Sequence, residues 1–424
     1  MAKKISRRDL FKDMGAAGAA GLLAARPGAA APAQEGQSRT NELLATPSPV
    51  LLDDLRQHHV EITAGEMVVT FDRRYGSIFS IARKGDPLQT NFIGNEVNAP
   101  GVDPSDSRWT GDLVTTVWAL DTGGKTFHFD PNQDFYVPGQ WKRELTGKSH
   151  DVRRVRFENN TLRVGYNRPS MNDEGVRSYR LNMAFHAGEG SSLLWDVEIE
   201  NVTNNILEIG ELGLPLMVND DYASLLGKGW RTPVIQKLIH EQKMLVHHFV
   251  AGHSSYSLVQ RPLGDAPFLL VHPTQNTSWE CLYKEPDSAF ARNVEGWGGP
   301  DILAIHSWAT KNLRHWFRNP WVNGHTSLLL EPGEKKSFQT RFAFIPGYEA
   351  IRDEVYGAGN LGIRVMPSMV VQEDTDAWVE LKSKTDVDKI DFLSDNITVK
   401  EKKRAADKTL LTLSFKGRGQ KSLK

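Results

Sequence analysis

Sugar chemistry needs flat apolar faces beside hydroxyl-binding groups, and one stretch of this 424-residue chain supplies both. Five tryptophans, Trp279, Trp297, Trp308, Trp316 and Trp321, fall within a short span of sequence. Two of the segments read as loops: Glu295-Gly296-Trp297-Gly298-Gly299-Pro300, and His315-Trp316-Phe317-Arg318-Asn319-Pro320-Trp321-Val322-Asn323-Gly324. An indole stacks on the apolar face of a pyranose, while Arg, Asn and His meet its hydroxyls. The candidate carbohydrate-binding residues are therefore Trp297, Trp316, Trp321, Arg318, Asn323 and His315. Indoles also fill sandwich cores. Trp195 and Trp308, placed on alternating strands, read as core.

Histidines that could work with a carboxylate near neutral pH are His247, His248, His253, His272, His306, His315 and His325. No His-x-Glu or Glu-x-x-His spacing singles one out, and no catalytic residue is nominated. The adjacent pairs His58-His59 and His247-His248 point to opposite strand faces, so neither chelates one ion easily. No metal site and no cofactor is expected. Phosphate-cradling glycine loops and Gly-x-Ser-x-Gly elbows are absent from the sequence. Arg153, Arg154 and Arg156 read as a strand with both faces charged, a solvated edge. Net charge is -1 with 24% charged residues, which gives no broad attraction to nucleic acid.

These residues need strands to hold them. Leu193, Trp195, Val197 and Ile199 alternate with Leu194, Asp196, Glu198 and Glu200, as on a half-buried antiparallel strand. Phe338, Thr340, Phe342 and Phe344 alternate with Gln339, Arg341 and Ala343. Similar short runs recur from about His58 to Leu330, punctuated by Gly, Pro, Asn and Asp. Helical signals are few. The best is Tyr348 to Tyr356, with Ile351 and Val355 on one face and Gly357 as its stop. The expected fold class is all-β. A large antiparallel sandwich spans 57–346, a short helix and connector 347–362, and a small, charged, immunoglobulin-like β module 363–424. That module reads as truncated, because only Ser422-Leu423 follow the glycine turn at Gly417-Arg418-Gly419.

The start of the chain has a different character. Met1-Ala2-Lys3-Lys4 precedes Ser6-Arg7-Arg8-Asp9-Leu10-Phe11-Lys12, a weakly apolar Gly/Ala run and an Ala-Pro-Ala exit. This resembles a twin-arginine export signal, with Arg7 and Arg8 read by the export machinery. Residues 1–33 are then a signal peptide cut before Gln34, and 34–56 a linker. The apolar run is much shorter than the ~20 residues a membrane-spanning helix needs. Export through that route places the product in the periplasm or outside the cell. Cys281 is the only cysteine, so stability must come from a core rather than an internal disulfide.

Further segments carry a family resemblance. They are Gly76-Ser77-Ile78; the run from Trp195 to Asn204 leading into Glu211-Leu212-Gly213-Leu214-Pro215-Leu216; and Leu328-Leu329-Leu330-Glu331-Pro332-Gly333-Glu334. Together they resemble the β-supersandwich of galactose-mutarotase-like proteins and the matching N-terminal sandwich of glycoside hydrolases with an (α/α)6 barrel. Within that group the chain is similar to an uncharacterised family of secreted bacterial six-hairpin-glycosidase-like proteins. The resemblance implies an exported carbohydrate-active protein whose sandwich recognises glycan and supports a barrel lying outside these residues. The alternatives it leaves are a stand-alone mutarotase-like sugar epimerase and a non-catalytic glycan-binding protein.

Overall fold

The structure is a computed structural model that describes residues 59–73, 76–93, 110–111, 113–120, 126–129, 153–166, 179–219, 233–274, 277–284, 301–308, 324–387, 389–419 and 421. Three strands open it: β1 (His59–Ala64), β2 (Met67–Asp72) and β3 (Ile78–Arg83), forming an antiparallel meander. Next come β4 (Val114–Leu120), β5 (Thr126–Phe129), β6 (Arg153–Glu158), β7 (Thr161–Tyr166), β8 (Tyr179–Ala187), β9 (Ser192–Asn201) and β10 (Leu207–Leu216). Helix α1 (Pro233–Gln242) leads to β11 (Leu245–Phe249), β12 (Tyr256–Gln260) and β13 (Phe268–Thr274). The sandwich ends with β14 (Cys281–Lys284), β15 (Asp301–His306), β16 (Leu328–Leu330) and β17 (Lys335–Ile345).

Two large antiparallel sheets result. The first has eight strands in the order β11-β12-β13-β17-β9-β8-β7-β6. The second has six, in the order β14-β15-β10-β4-β5 with β16 also paired to β10. The period-two pattern builds the core between them. On β9, Leu193, Trp195, Val197 and Ile199 are buried, and Trp195 is only 1% exposed. Its indole stacks on Phe185 of β8 at 5.3 Å between ring centroids, and Phe185 meets Phe71 of β2 at 5.0 Å. One hydrophobic core thus joins both large sheets and the meander. Burying side chains of this size contributes roughly 1.5–3 kcal/mol each.

Several expectations are corrected. Trp308 is 42% exposed rather than buried in the core. β15 ends at His306, so strand alternation no longer governs Trp308. On β6, Val155 and Phe157 pack against the core, so that strand has one apolar face and is not charged on both. The C-terminal helical turn begins as a 3-10 segment, Tyr348–Ala350, and continues as α2 (Ile351–Gly357). Gly357 lies within it, and the left-handed glycine beyond the helix is Gly359, at φ +93°. Helix α1 had no counterpart in the strand-dominated sequence reading.

Beyond α2, β18 (Gly362–Met366), β19 (Ala377–Lys382), β20 (Ile397–Ala405) and β21 (Lys408–Phe415) form one antiparallel sheet in the order β18-β19-β21-β20. α2 ties this sheet to the sandwich. Val355 packs with Leu258, Phe268, Leu270 and Ile345 on the outer face of the eight-stranded sheet. Arg341 of β17 donates from Nε to Glu354 Oε1 at 2.6 Å, and Lys382 of β19 donates from Nζ to Asp353 at 2.9 Å. The His272 imidazole and Arg341 guanidinium facing it hold the Glu354 carboxyl below its ordinary pKa. Among the described residues, no helix is long and apolar enough to cross a membrane.

Candidate functional site

β14 and β15 form a hairpin whose paired ends are Lys284 with Asp301 and Cys281 with Ala304. Segment 285–300 joins the strands at the first end. Segment 309–323 leaves from the other, just beyond β15. β15 has six residues, so the two exits stand about 17 Å apart at ~3.3 Å per residue. Trp297 belongs to 285–300, whereas His315, Trp316, Arg318, Trp321 and Asn323 belong to 309–323. All six lie outside the described residues, as do Arg7 and Arg8.

The stems of 309–323 are described, and a buried carboxylate clamps them together. Glu280 lies immediately before β14, and its amide donates to Ala304 O at 2.9 Å. Glu280 Oε1 accepts from Ser307 N at 2.7 Å, Ser307 Oγ at 2.6 Å and Thr326 N at 2.9 Å. Its Oε2 accepts from Thr326 Oγ1 at 2.6 Å. Ser307 precedes the segment and Thr326 follows it. The amides of Ser307 and Trp308 also donate to Thr326 O, at 3.2 and 3.1 Å. Charge-assisted bonds of this kind are stronger than neutral ones and fix direction.

Two imidazoles complete the network. His325 Nδ1 is 2.8 Å from Ser307 Oγ, and His306 Nδ1 is 2.9 Å from Thr326 Oγ1. Each hydroxyl has one hydrogen, already donated to Glu280, so each must accept from its imidazole. Both rings therefore carry hydrogen on Nδ1. Burial pushes His306 below its ordinary pKa, with the nearby Glu280 charge opposing the shift. Phe338 of β17 packs edge-on to the His306 ring at 6.0 Å.

Among the described residues, the neighbouring Ser307 and Cys281 are not activated nucleophiles. Ser307 gives its proton to a carboxylate rather than to an imidazole. Cys281 is buried, and its thiol is pushed up to about 12 by burial and by the charges of Glu280 and Glu211. On the outer face of the six-stranded sheet, the Tyr283 hydroxyl donates to Glu211 Oε1, and both side chains are buried. The cluster acts as a positioning device that holds two strand exits and two imidazoles in fixed register.

The other described candidate histidines are dispersed. His247 Nε2 lies 3.3 Å from Gln260 Nε2. His248 sits between Ser257 Oγ at 2.8 Å and Asp301 Oδ2 at 3.3 Å. His253 meets Thr277 O at 2.9 Å, and His272 is fully buried on β13. Among the described candidates, only His306 and His325 are brought together, by a carboxylate 26 and 45 positions away. Glu280 carries no spacing signal in the sequence, because its partners Ser307 and Thr326 lie far along the chain, just after β15 and just before β16.

The architecture defines an all-β protein built on a large antiparallel sandwich. The same fold occurs in a solved polysaccharide lyase, 13% identical, with a TM-score of 0.53 over 85% of this chain. The chain spans 44% of the length of that lyase. Weaker likenesses include a putative aldose 1-epimerase from Escherichia coli K12, 12% identical, with a TM-score of 0.38 over 68% of this chain and 98% of the epimerase. Another is a GH36 α-galactosidase from Geobacillus stearothermophilus solved with stachyose, 10% identical, with a TM-score of 0.32 over 70% of this chain and 42% of that one. Residues 140–423 match the model of a family described as a family of unknown function (DUF5695), and the chain belongs to that family. No curated protein matches the chain in sequence.

Proposed function

We propose that this chain is the carbohydrate-recognising sandwich of an exported protein that acts on polysaccharide, and that it supports a catalytic barrel outside these residues. One observation carries the reading. A buried carboxylate locks both stems of 309–323, the segment bearing Trp316, Trp321, Arg318, Asn323 and His315. Fixing the stems lowers the ordering cost of a segment that binds through its aromatic side chains. The likeness to a polysaccharide lyase nearly twice as long supports a part played within a larger enzyme. The Arg7-Arg8 motif supports the twin-arginine route, hence a periplasmic or extracellular location.

The test is retention of the full chain on a panel of immobilised neutral and acidic polysaccharides. Wild type is expected to bind at least one, and the double variant Trp316→Ala/Trp321→Ala to lose that binding while unfolding at the same urea concentration. Binding that survives the double variant, or no binding to any polysaccharide, overturns the reading.

A further inference from the structure

The outer face of the eight-stranded sheet is covered by α2 at β12, β13 and β17. Over β6 to β9 and the start of β17 it forms a groove of about 730 Å³ instead. Register explains its shape. One row across the strands reads Arg156, Arg163, Ala184, Asp196, Gln339. The next reads Gly165, Asn182, Glu198, Ser337 from β7 to β17. Gly165 and Ala184 make a low floor between a basic wall and a wall of carboxylates and amides.

The basic wall is unusual. Arg156 and Arg163 stand directly opposite each other across β6 and β7, and like charges so placed destabilise a sheet. Both are exposed, and neither has a hydrogen-bond or ion-pair partner among the described residues. The carboxylates opposite are already engaged. Asp196 accepts from Gln339 Nε2 at 2.6 Å and faces His186 Nε2 at 2.9 Å. Glu198 accepts from Asn182 Nδ2 and Lys335 Nζ, each at 3.4 Å. A charged residue on a terminal strand guards it against edge pairing. That accounts for Arg156 on β6, but not for Arg163 on interior strand β7.

We infer that this groove binds an acidic sugar residue of a glycan, its anionic group held between Arg156 and Arg163. A planar guanidinium fork suits a carboxylate or sulfate. Across the floor, the amide of Asn182 and the spare acceptor capacity of Asp196 and Glu198 suit ring hydroxyls, while buried Gln339 holds Asp196 in place. Asp196 and Glu198 also set the ligand class. A nucleic acid carries a charge on every nucleotide and would meet them with repulsion, whereas a sugar ring places neutral hydroxyls there. The inference deepens the carbohydrate reading and rests on it, but uses a different surface from 309–323.

Calorimetric titration of the full chain tests it with three probes: an oligogalacturonate, its fully methyl-esterified form, and an oligosaccharide of sulfated galactose. At low salt an anionic probe is expected to bind about tenfold more tightly than the neutral ester, the scale of one charge-assisted contact. Arg163→Gln and Arg156→Gln should each remove that preference. Arg180→Gln, whose side chain pairs with Glu200 at 2.7 Å outside the groove, should leave it intact. The two acidic probes separate carboxylate from sulfate as the source of charge. Equal affinity for acid and ester, absence of binding by both anionic probes, or preference unchanged in both arginine variants overturns the inference. If glycan binding persists without charge preference and depends on Trp316 and Trp321, the acidic-sugar site falls while the broader reading stands.

Discussion

Replacing Glu280 with alanine should loosen the two stems of 309–323 and cost about 2–3 kcal/mol of stability. The figure follows from the acceptor count. Thr326 N loses its Glu280 acceptor, Ser307 N keeps only its longer bond to Thr326 O at 3.2 Å, and both serine and threonine hydroxyls lose their carboxylate partner. An orphaned buried donor costs roughly 1–3 kcal/mol, whereas freed hydroxyls can rotate to new partners. One part-buried orphan at Thr326 N and one buried amide at Ser307 left with its weaker bond place the sum at about 2–3 kcal/mol. Glu280→Gln retains an acceptor for the Oε1 bonds but loses the charge and the Oε2 acceptor, at about 1–2 kcal/mol. Urea unfolding gives the global cost. Hydrogen exchange on peptides covering Ser307 and Thr326 gives the local one, with faster exchange expected in the order wild type, Glu280→Gln, Glu280→Ala. A loss below about 1 kcal/mol for Glu280→Ala, with unchanged exchange at both amides, would refute the clamp.

Other substitutions probe the frame around that site. His306 has its pKa lowered in the fold, so its neutral form is favoured and the associated stability is fully present above the unfolded value of about 6.5. That stability should be lost as pH falls from there through the folded pKa, and His306→Gln should flatten this limb in unfolding midpoints measured from pH 8 to 5. Arg261→Met should cost roughly 3–5 kcal/mol in urea unfolding, because Asp86, bonded to Arg261 Nη1 at 3.1 Å, would be left as an unpaired buried charge. Gly76→Ala should lower the melting temperature by several degrees, since its φ is +75° and a Cβ would sit 2.4 Å from Val164 Cγ2.

Particular elements show what a sequence reveals here. β9 was legible because its apolar residues keep a strict period of two, and one face is buried over its whole length. β17 was legible by the same alternation, but that pattern does not reveal that its C-terminal half is buried on both faces, the outer one under α2. The β6–β7 register was available in principle. Asn159 and Asn160, both at positive φ, make a two-residue hairpin turn that pairs Arg156 with Arg163. Reading Arg153, Arg154 and Arg156 as an isolated cluster missed the interior arginine opposite. The Glu280 clamp could not be read at all. Its acceptor lies 27 positions from Ser307 and 46 from Thr326, and no local pattern encodes a carboxylate that meets residues flanking two separate strands. The aromatic density of 309–323 was plain in the sequence, but what anchors that segment emerged only from the pairing of strands.

The central claim is that a clamped, indole-bearing segment meets the glycan. Hydrogen exchange of the full chain, with and without a polysaccharide that it retains, tests this most directly. Slower exchange in peptides spanning 309–323 on addition of the polysaccharide is the predicted result. Unchanged exchange there, with protection confined to other parts of the chain, would contradict it.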